Sequence, residues 1–587
     1  MRDDEPAQTQ GEGRIDRRRF LARTLKAGGL ITAASLGAET LSDAAATTTT
    51  AGRRQAIASR RFSAQPNILV IVVDQMRAPR WFGPGAGAPG LPPNIARLAR
   101  EGVSFQRHYT ASNDCSPARS TMLTGLHTHQ TGCMITGAST LDPGFPTYGR
   151  MLREQGYSTT WYGKWHLTRG DRFWNELSGP PALASYDFDG GTFPSPNGAP
   201  GQGWSIDPVI ASQFENWFRR SAGKGPWCTT VSFVNPHDIA WWWRWSRVSA
   251  TEASAPSAIG KLPPNFETPE ELRARGKPSV QLSLQDTSDL SFGKVPFHGA
   301  GVTQAWLPFL DLYVKLQLEV DRQVGAVLRT LHARPEIAAN TIVLFTSDHG
   351  EYGASHGLRG KGAGMYEEGI RVPLIIRDPT GTLGAKPNTL RHQITSSVDL
   401  APLLLTIGAG SNDWRSDPRY SHISTRADIA RMLRDPAANG RDHALHVTDE
   451  VLTEFALLPY AASAPLHVKG LVTHNAKYAT YSHWRNGTLE PLRAGLQTEL
   501  YDYRTRAGYQ ETENTAGSSP REAQLAAALE QATIEELRAP LPFTLVAAQQ
   551  RGFAQYHELA AAEQTISEVH RLNAVERIVR GIEQTVG

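Results

Sequence analysis

The sequence predicts an α/β protein, a mostly parallel sheet flanked by helices and followed by a smaller C-terminal α+β subdomain. Three observations carry this. Continuous apolar, β-branched runs of strand length recur along much of the chain, and each stops in charged or imidazole side chains. Amphipathic stretches of helical period separate those runs. After about residue 440 the pattern shortens to alternating runs, which suit an antiparallel sheet.

The first run, NILVIVVDQ (Asn67 to Gln75), suits a strand buried on both faces and ends in Asp74 and Gln75. GYSTTWYGKWH (Gly156 to His166) ends in Lys164 and His166, and CTTVSFVNPHD (Cys228 to Asp238) in Asn235 and His237. TIVLFTSDHGE (Thr341 to Glu351) ends in Asp348 and His349, and RVPLIIRD (Arg371 to Asp378) completes the set. Helices are expected from Pro93, Phe145, Pro208 and Leu307. In such sheets the carboxyl ends of parallel strands share one edge, where ligands bind. Asp74, Lys164, His166, His237, Asp348 and His349 are therefore expected to share one site.

The domain reading is residues 1–46 a leader, 47–64 a linker, 65–440 the catalytic domain, 441–545 the antiparallel-sheet subdomain and 546–587 a helical extension. The leader rests on DRRRFLARTL, with Arg17 and Arg18 before Arg19, Phe20 and Leu21, then a mildly apolar stretch (Ala27 to Ala38) and an Ala-x-Ala site near Ala46. That order of zones fits a twin-arginine signal and a periplasmic or secreted protein; a disordered basic tail is the alternative. No uninterrupted run of about 18 apolar residues follows, so no membrane span is expected. With 587 residues, 40% hydrophobic and 20% charged, a sizeable core is assured. A net charge of +3 does not suggest a nucleic-acid partner. GPGAGAPG (Gly83 to Gly90) superficially resembles a phosphate loop, but its prolines favour an ordinary connection.

Three cysteines, Cys115, Cys133 and Cys228, are too few for a disulfide scaffold. Cys133 and Cys228 either pair or lie buried as thiols, leaving Cys115 over. Ser116 followed by Pro117 reads as a helix N-cap and first helical residue, placing Cys115 just outside the helix beside its free amides. Arg119 in the first turn folds back toward the same point. The arrangement is an anion site built around residue 115. Three readings of the cysteine compete: a buried structural thiol, an activated thiolate, and a modified side chain.

CSPAR matches Cys-x-Pro-x-Arg, and the stretch containing it resembles the type I sulfatases, in which this signature directs oxidation of the cysteine to formylglycine. The continuation STMLTGLHTHQTG, the block from Ser347 to Ile376 and ELYDYRTRAGYQETEN near the C-terminus resemble the same family, over about residues 65 to 545. The resemblance implies an alkaline-phosphatase-like fold and hydrolysis of a small-molecule or carbohydrate sulfate ester. It also implies a formylglycine-generating enzyme as partner during maturation.

By that resemblance, one hydroxyl of the hydrated aldehyde binds a divalent metal and attacks sulfur. The alcohol leaves; the second hydroxyl is deprotonated, expelling sulfate and restoring the aldehyde. The implied metal ligands are Asp74, Gln75, residue 115, Asp348 and His349. Arg119 and Lys164 would orient and polarise the diol, and His166 would take its second proton. His237 and Lys361 would hold the sulfate oxygens and assist the leaving oxygen. Gln75 and His349 depart from the family pattern, where Asp and Asn are common. Calcium, the cation the family implies, prefers oxygen ligands, whereas manganese or zinc accept imidazole. The Asp-Gln and Asp-His pairing also resembles phosphonate monoester hydrolases and choline-sulfatase-like members. A phosphonate monoester or phosphodiester hydrolase is thus the alternative activity, and a sulfated-ligand binder without catalysis a third. WWWRW (Trp241 to Trp245) is either an aromatic wall for the substrate alcohol or a packed loop.

Overall fold

A computed structural model describes residues 65–79, 90–168, 183–242, 259–449, 464–485, 488 and 490–561. The twin-arginine stretch, the linker, residues 83–89, 243–245 and 562–587 lie outside the described residues.

The main sheet has eight strands: β1 (Asn67–Asp74), β2 (Val103–Tyr109), β3 (Ser158–Gly163), β4 (Asp189–Gly190), β5 (Trp227–Pro236), β6 (Thr341–Ser347), β7 (Leu374–Arg377) and β8 (Thr389–Ser396). Their order is β4-β3-β5-β1-β6-β7-β2-β8. Only β7 runs against its neighbours, β6 and β2, so the sheet is mostly parallel as the sequence predicts. β1 shows why its apolar run is continuous. Ile68, Val70 and Val72 pack on one face with Met151, Leu152 and Leu403. Leu69, Ile71 and Val73 pack on the other with Phe214, Val320 and Val324. Each such side chain contributes about 1.5–3 kcal/mol on burial.

The helices covering these faces include α1 (Pro93–Glu101), α2 (Cys115–Thr124), α3 (Tyr148–Arg153), α4 (Gln202–Ser221), α5 (Val302–His332) and α6 (Leu400–Ala409). α4 begins six residues before Pro208, not at it. The carboxylate of Asp238 makes the earlier start tenable, accepting from the backbone N–H of Gly203 (3.3 Å) and Trp204 (3.2 Å) in the first turn. α5 likewise starts before Leu307.

The sequence reading of five strands missed β2, β4 and β8. β8 is an edge strand largely exposed over its first five residues, β2 is exposed in its middle, and β4 has two residues. None offers the unbroken apolar run that marks a doubly buried strand.

A second sheet, order β12-β11-β10-β9, consists of β9 (His443–Asp449), β10 (His467–Thr473), β11 (Ala476–Ser482) and β12 (Gln497–Asp502), antiparallel throughout. Leu525 and Leu529 of α7 (Glu522–Ala532) cover one face against Leu445, Leu471 and Leu500. The other face, with Val468, Val472 and Tyr501, packs on Tyr109 at the end of β2 and on Tyr352 and Met365. Residues 543–561 are helical. No helix among the described residues is long and apolar enough to cross a membrane.

Candidate active site

Strand register assembles the site. β1 pairs in parallel with β6 so that Val73 lies opposite Ser347, and with β5 so that Asp74 lies opposite Pro236. β3 pairs with β5 up to Gly163 and Ser232. Four neighbouring strands thus end close together, and Asp74 at the tip of β1 meets the residues just beyond the strands (Gln75, Lys164, His237, Asp348 and His349) at one edge. The approach at β3 is close: a Cβ on Gly163, whose φ is 97°, would lie 1.8 Å from the carbonyl oxygen of Ser232.

α2 delivers Cys115 to that edge, but not as the sequence predicted. Asp114 is the N-cap, its carboxylate accepting from Cys115 N, so Cys115 is the first helical residue rather than the residue outside it. Ser116 is drawn elsewhere: its hydroxyl accepts from Gly137 N (3.1 Å) and its N–H donates to Thr136 Oγ1 (3.2 Å). Pro117 still falls in the first turn, where no N–H is needed. The positive end of the helix therefore bears on residue 115 directly.

Cys115 Sγ lies 2.9 Å from Lys361 Nζ, 3.2 Å from His349 Nε2 and 3.6 Å from Lys164 Nζ. Asp74 Oδ2 pairs with Lys164 Nζ (2.6 Å) and Arg119 Nη2 (3.2 Å), while Arg119 Nε donates to Asp348 Oδ2 (2.9 Å). Arg119 Nη1 donates to Lys164 O (2.6 Å) and Ser232 Oγ (3.0 Å). One buried guanidinium thus fixes both carboxylates and the strand beside them. Burial pushes the Asp74 carboxyl up, but Lys164, His237, Arg119 and Lys361 outweigh it and hold it well below the ordinary value. Burial pushes Lys361 down; Cys115, Asp114 and Asp74 outweigh it and raise the ammonium.

Two imidazoles, His349 and His237, are disfavoured as cations. Burial and Lys361 lower His349 despite Asp348 and Asp74, and burial with Lys164 and Lys361 lowers His237 well below the ordinary value. His237 and Lys164 flank Gly198, where a Cβ would lie 2.6 Å from the His237 ring and 3.1 Å from Lys164 Nζ. His166 is buried two residues beyond Lys164, in left-handed backbone (φ 58°).

Asp74, Cys115, Asp348 and His349 each present a ligand atom within 4.8 Å of the others. His349 Nδ1 lies 3.0 Å from the Gly350 carbonyl, which only accepts, so the lone pair of Nε2 faces Asp74 and Cys115. Gln75 Oε1 sits beside Lys361 Nζ at 3.1 Å. Two carboxylates, an amide oxygen and an oriented imidazole fit a divalent cation.

Sequence reasoning passed over three participants. Asp114 and Ser232 carry no motif signal of their own. Glu351 closes the SDHGE run, and its carboxylate accepts from Gln75 Nε2 at 2.5 Å. His127 and His356, which carry no catalytic assignment, are engaged by Glu536 and Glu267. Cys133 and Cys228 are separate buried thiols. Of the tryptophan run, Trp242 is core, its ring 5.1 Å from Phe309, whereas half-buried Trp241 donates from Nε1 to Gly198 O at 2.7 Å.

The sequence profile described as Sulfatase matches residues 66–410, more than half of the chain. The chain belongs to the sulfatase family. This sulfatase is 29% identical over 378 residues to the uncharacterized sulfatase YidJ of Escherichia coli, covering 58% of this chain and 68% of that one. It is 26% identical over 443 residues to choline-sulfatase of Rhizobium meliloti, covering 68% and 76%. Its fold superposes on a 2-O GAG sulfatase with a TM-score of 0.61 at 20% identity, covering 80% of this chain and 92% of that one. A phosphonate monoester hydrolase from Silicibacter pomeroyi superposes with a TM-score of 0.60 at 21% identity, covering 82% and 97%. The sulfatase thus has the alkaline-phosphatase-like α/β fold that the resemblance implied. The matched segment contains every candidate site residue from Asp74 to Lys361.

Proposed function

We propose that this sulfatase is an exported hydrolase of small-molecule or carbohydrate sulfate esters, with residue 115 oxidised to formylglycine as its nucleophile. The observation that carries the reading is the setting of Cys115 at the first turn of α2. Its sulfur lies 2.9 Å from Lys361 Nζ, within 4.0 Å of both Asp74 oxygens and beside the lone pair of His349. The basic side chains of Arg119, Lys164 and Lys361 surround two carboxylates there, leaving the site receptive to a sulfate group.

Asp74, Gln75, residue 115, Asp348 and His349 would hold a divalent cation, which supplies Lewis-acid polarisation and charge neutralisation when bound. Calcium is the cation the family resemblance favours; the neutral Gln75 and His349 also suit manganese or zinc. One hydroxyl of the hydrated residue 115 attacks sulfur, the bond from sulfur to the ester oxygen breaks, and the alcohol departs with a proton. The second hydroxyl then gives its proton to His166, the carbon–oxygen bond to sulfate breaks, and the aldehyde returns. Arg119 holds Asp74 and Asp348 in place throughout, and Lys164 orients the diol. His237, as an N–H donor, and Lys361 bind the sulfate oxygens and steady the leaving oxygen. A formylglycine-generating enzyme would act on the chain before twin-arginine export.

A second reading, phosphonate monoester or phosphodiester hydrolysis, draws on the Gln75 and His349 ligands. Turnover of 4-nitrophenyl sulfate and a phenylphosphonate monoester, measured side by side, separates the two. Faster sulfate turnover is expected; faster phosphonate turnover reverses the assignment.

A further inference from the structure

We propose that Glu351 is a positioning residue, setting the carboxamide of Gln75 so that its oxygen, not its nitrogen, faces the cation site. This rests on the cation reading above. An amide rotated by half a turn keeps its shape, so only hydrogen-bond partners decide which end points where. Glu351 is fully buried, and one of its oxygens accepts from Gln75 Nε2 at 2.5 Å. Its other oxygen accepts from Gly353 N (3.0 Å) and Gly360 N (2.7 Å). A carboxylate held this way offers Gln75 an acceptor, which draws in the NH2 and turns Oε1 toward Lys361 Nζ at 3.1 Å.

The remainder of Gln75 is equally fixed. Its N–H donates to Asp348 Oδ1 (3.2 Å), and its carbonyl accepts from Tyr313 Oη (2.8 Å). Its backbone is left-handed, φ 70°, a conformation that a residue other than glycine keeps only when its surroundings impose it. Gly360, whose N–H Glu351 receives, immediately precedes Lys361, whose ammonium reaches Cys115 Sγ at 2.9 Å. Glu351 therefore joins the orientation of a candidate ligand to the loop that delivers a cation to residue 115, while touching no reacting atom itself.

Glu351→Gln tests this. The substituted amide still accepts from Gly353 and Gly360 through its oxygen, so its NH2 confronts Gln75 and reverses the Gln75 carboxamide. Calorimetric titration of Mn2+ into the metal-free full chain should show affinity about 10–100-fold weaker, with an unchanged melting temperature. Adding Gln75→Glu supplies a carboxylate that accepts from the substituted amide and turns an oxygen to the cation. The double variant should return to within about threefold of the unsubstituted protein. Unaltered Mn2+ affinity in Glu351→Gln, a double variant no tighter than the single, or failure of both variants to fold overturns the proposal. The unsubstituted protein and Asp348→Asn run beside them. An unsubstituted protein that binds no Mn2+, or an Asp348→Asn variant that binds it equally, refutes the cation reading itself and the Glu351 proposal with it.

Discussion

Lys361 Nζ lies 2.9 Å from Cys115 Sγ, although 246 positions separate them in the chain, and the ammonium is almost wholly buried. A cation so placed stabilises negative charge on residue 115 and on any group transferred to it. Removal of the ammonium in Lys361→Ala should lower kcat/KM on an aryl sulfate by about 100–1,000-fold with little change in thermal stability. Steady-state kinetics beside a thermal melt check this; a loss under about tenfold would remove Lys361 from the machinery.

Oxidation of Cys115 is checked by mass. The tryptic peptide carrying residue 115 should be lighter than its unmodified form by about 18 Da, sulfur and two hydrogens being lost for one oxygen gained. Cys115→Ala should fold and show no turnover. Full activity with the thiol intact would defeat the mechanism.

The two described tryptophans of the WWWRW run should separate. Trp242, buried against Phe309, Trp306 and Ile239, should cost about 3–5 kcal/mol when changed to Ala. Trp241 gives up one hydrogen bond to Gly198, worth about 1 kcal/mol, but Gly198 abuts His237 and Lys164. Trp241→Ala should therefore shift the ratio of kcat/KM between aryl and sugar sulfates more than it shifts the urea midpoint. Equal loss on every substrate, in step with stability, would make Trp241 a packing residue only.

Acid should destabilise the fold before most carboxylates titrate. Burial lowers His108 to about 4 and His446 to about 3, from 6.5. A histidine whose folded pKa is depressed contributes stability fully above the unfolded value, and that stability is lost as pH falls from 6.5 toward the folded value. Urea unfolding should show stability falling between these limits. His108→Gln should lessen the slope by about 1.4 kcal/mol per pH unit, one proton's share. An unchanged slope would refute the assignment.

The address is tested in cells. Arg17→Lys with Arg18→Lys should leave the protein in the cytoplasm, as a twin-arginine signal requires; unimpaired export would overturn it.

The main strands and their polar tips were legible because doubly buried parallel strands need a continuous apolar run, as residues 68–73 and 342–345 supply. The peripheral strands were not, since half-exposed backbone pairs without an apolar signature. The start of α2 was misread for a related reason. Asp114 and Ser116 are both competent caps, and only Thr136 and Gly137, which occupy Ser116, decide between them. The tryptophan run was ambiguous because adjacent side chains on one short turn point to different environments.

The sequence by itself determined the family signature around Cys115, the polar ends of the strands and the change of pattern after residue 440, because covalent order and periodicity are local properties. Tertiary structure alone decided the register that sets Val73 opposite Ser347 and Asp74 opposite Pro236, that Arg119 bridges Asp74 and Asp348, and that Glu351 addresses Gln75. Those contacts span up to 276 positions, and no local pattern encodes which distant donor will satisfy a buried acceptor; only the closed core, by excluding water, forces the pairing.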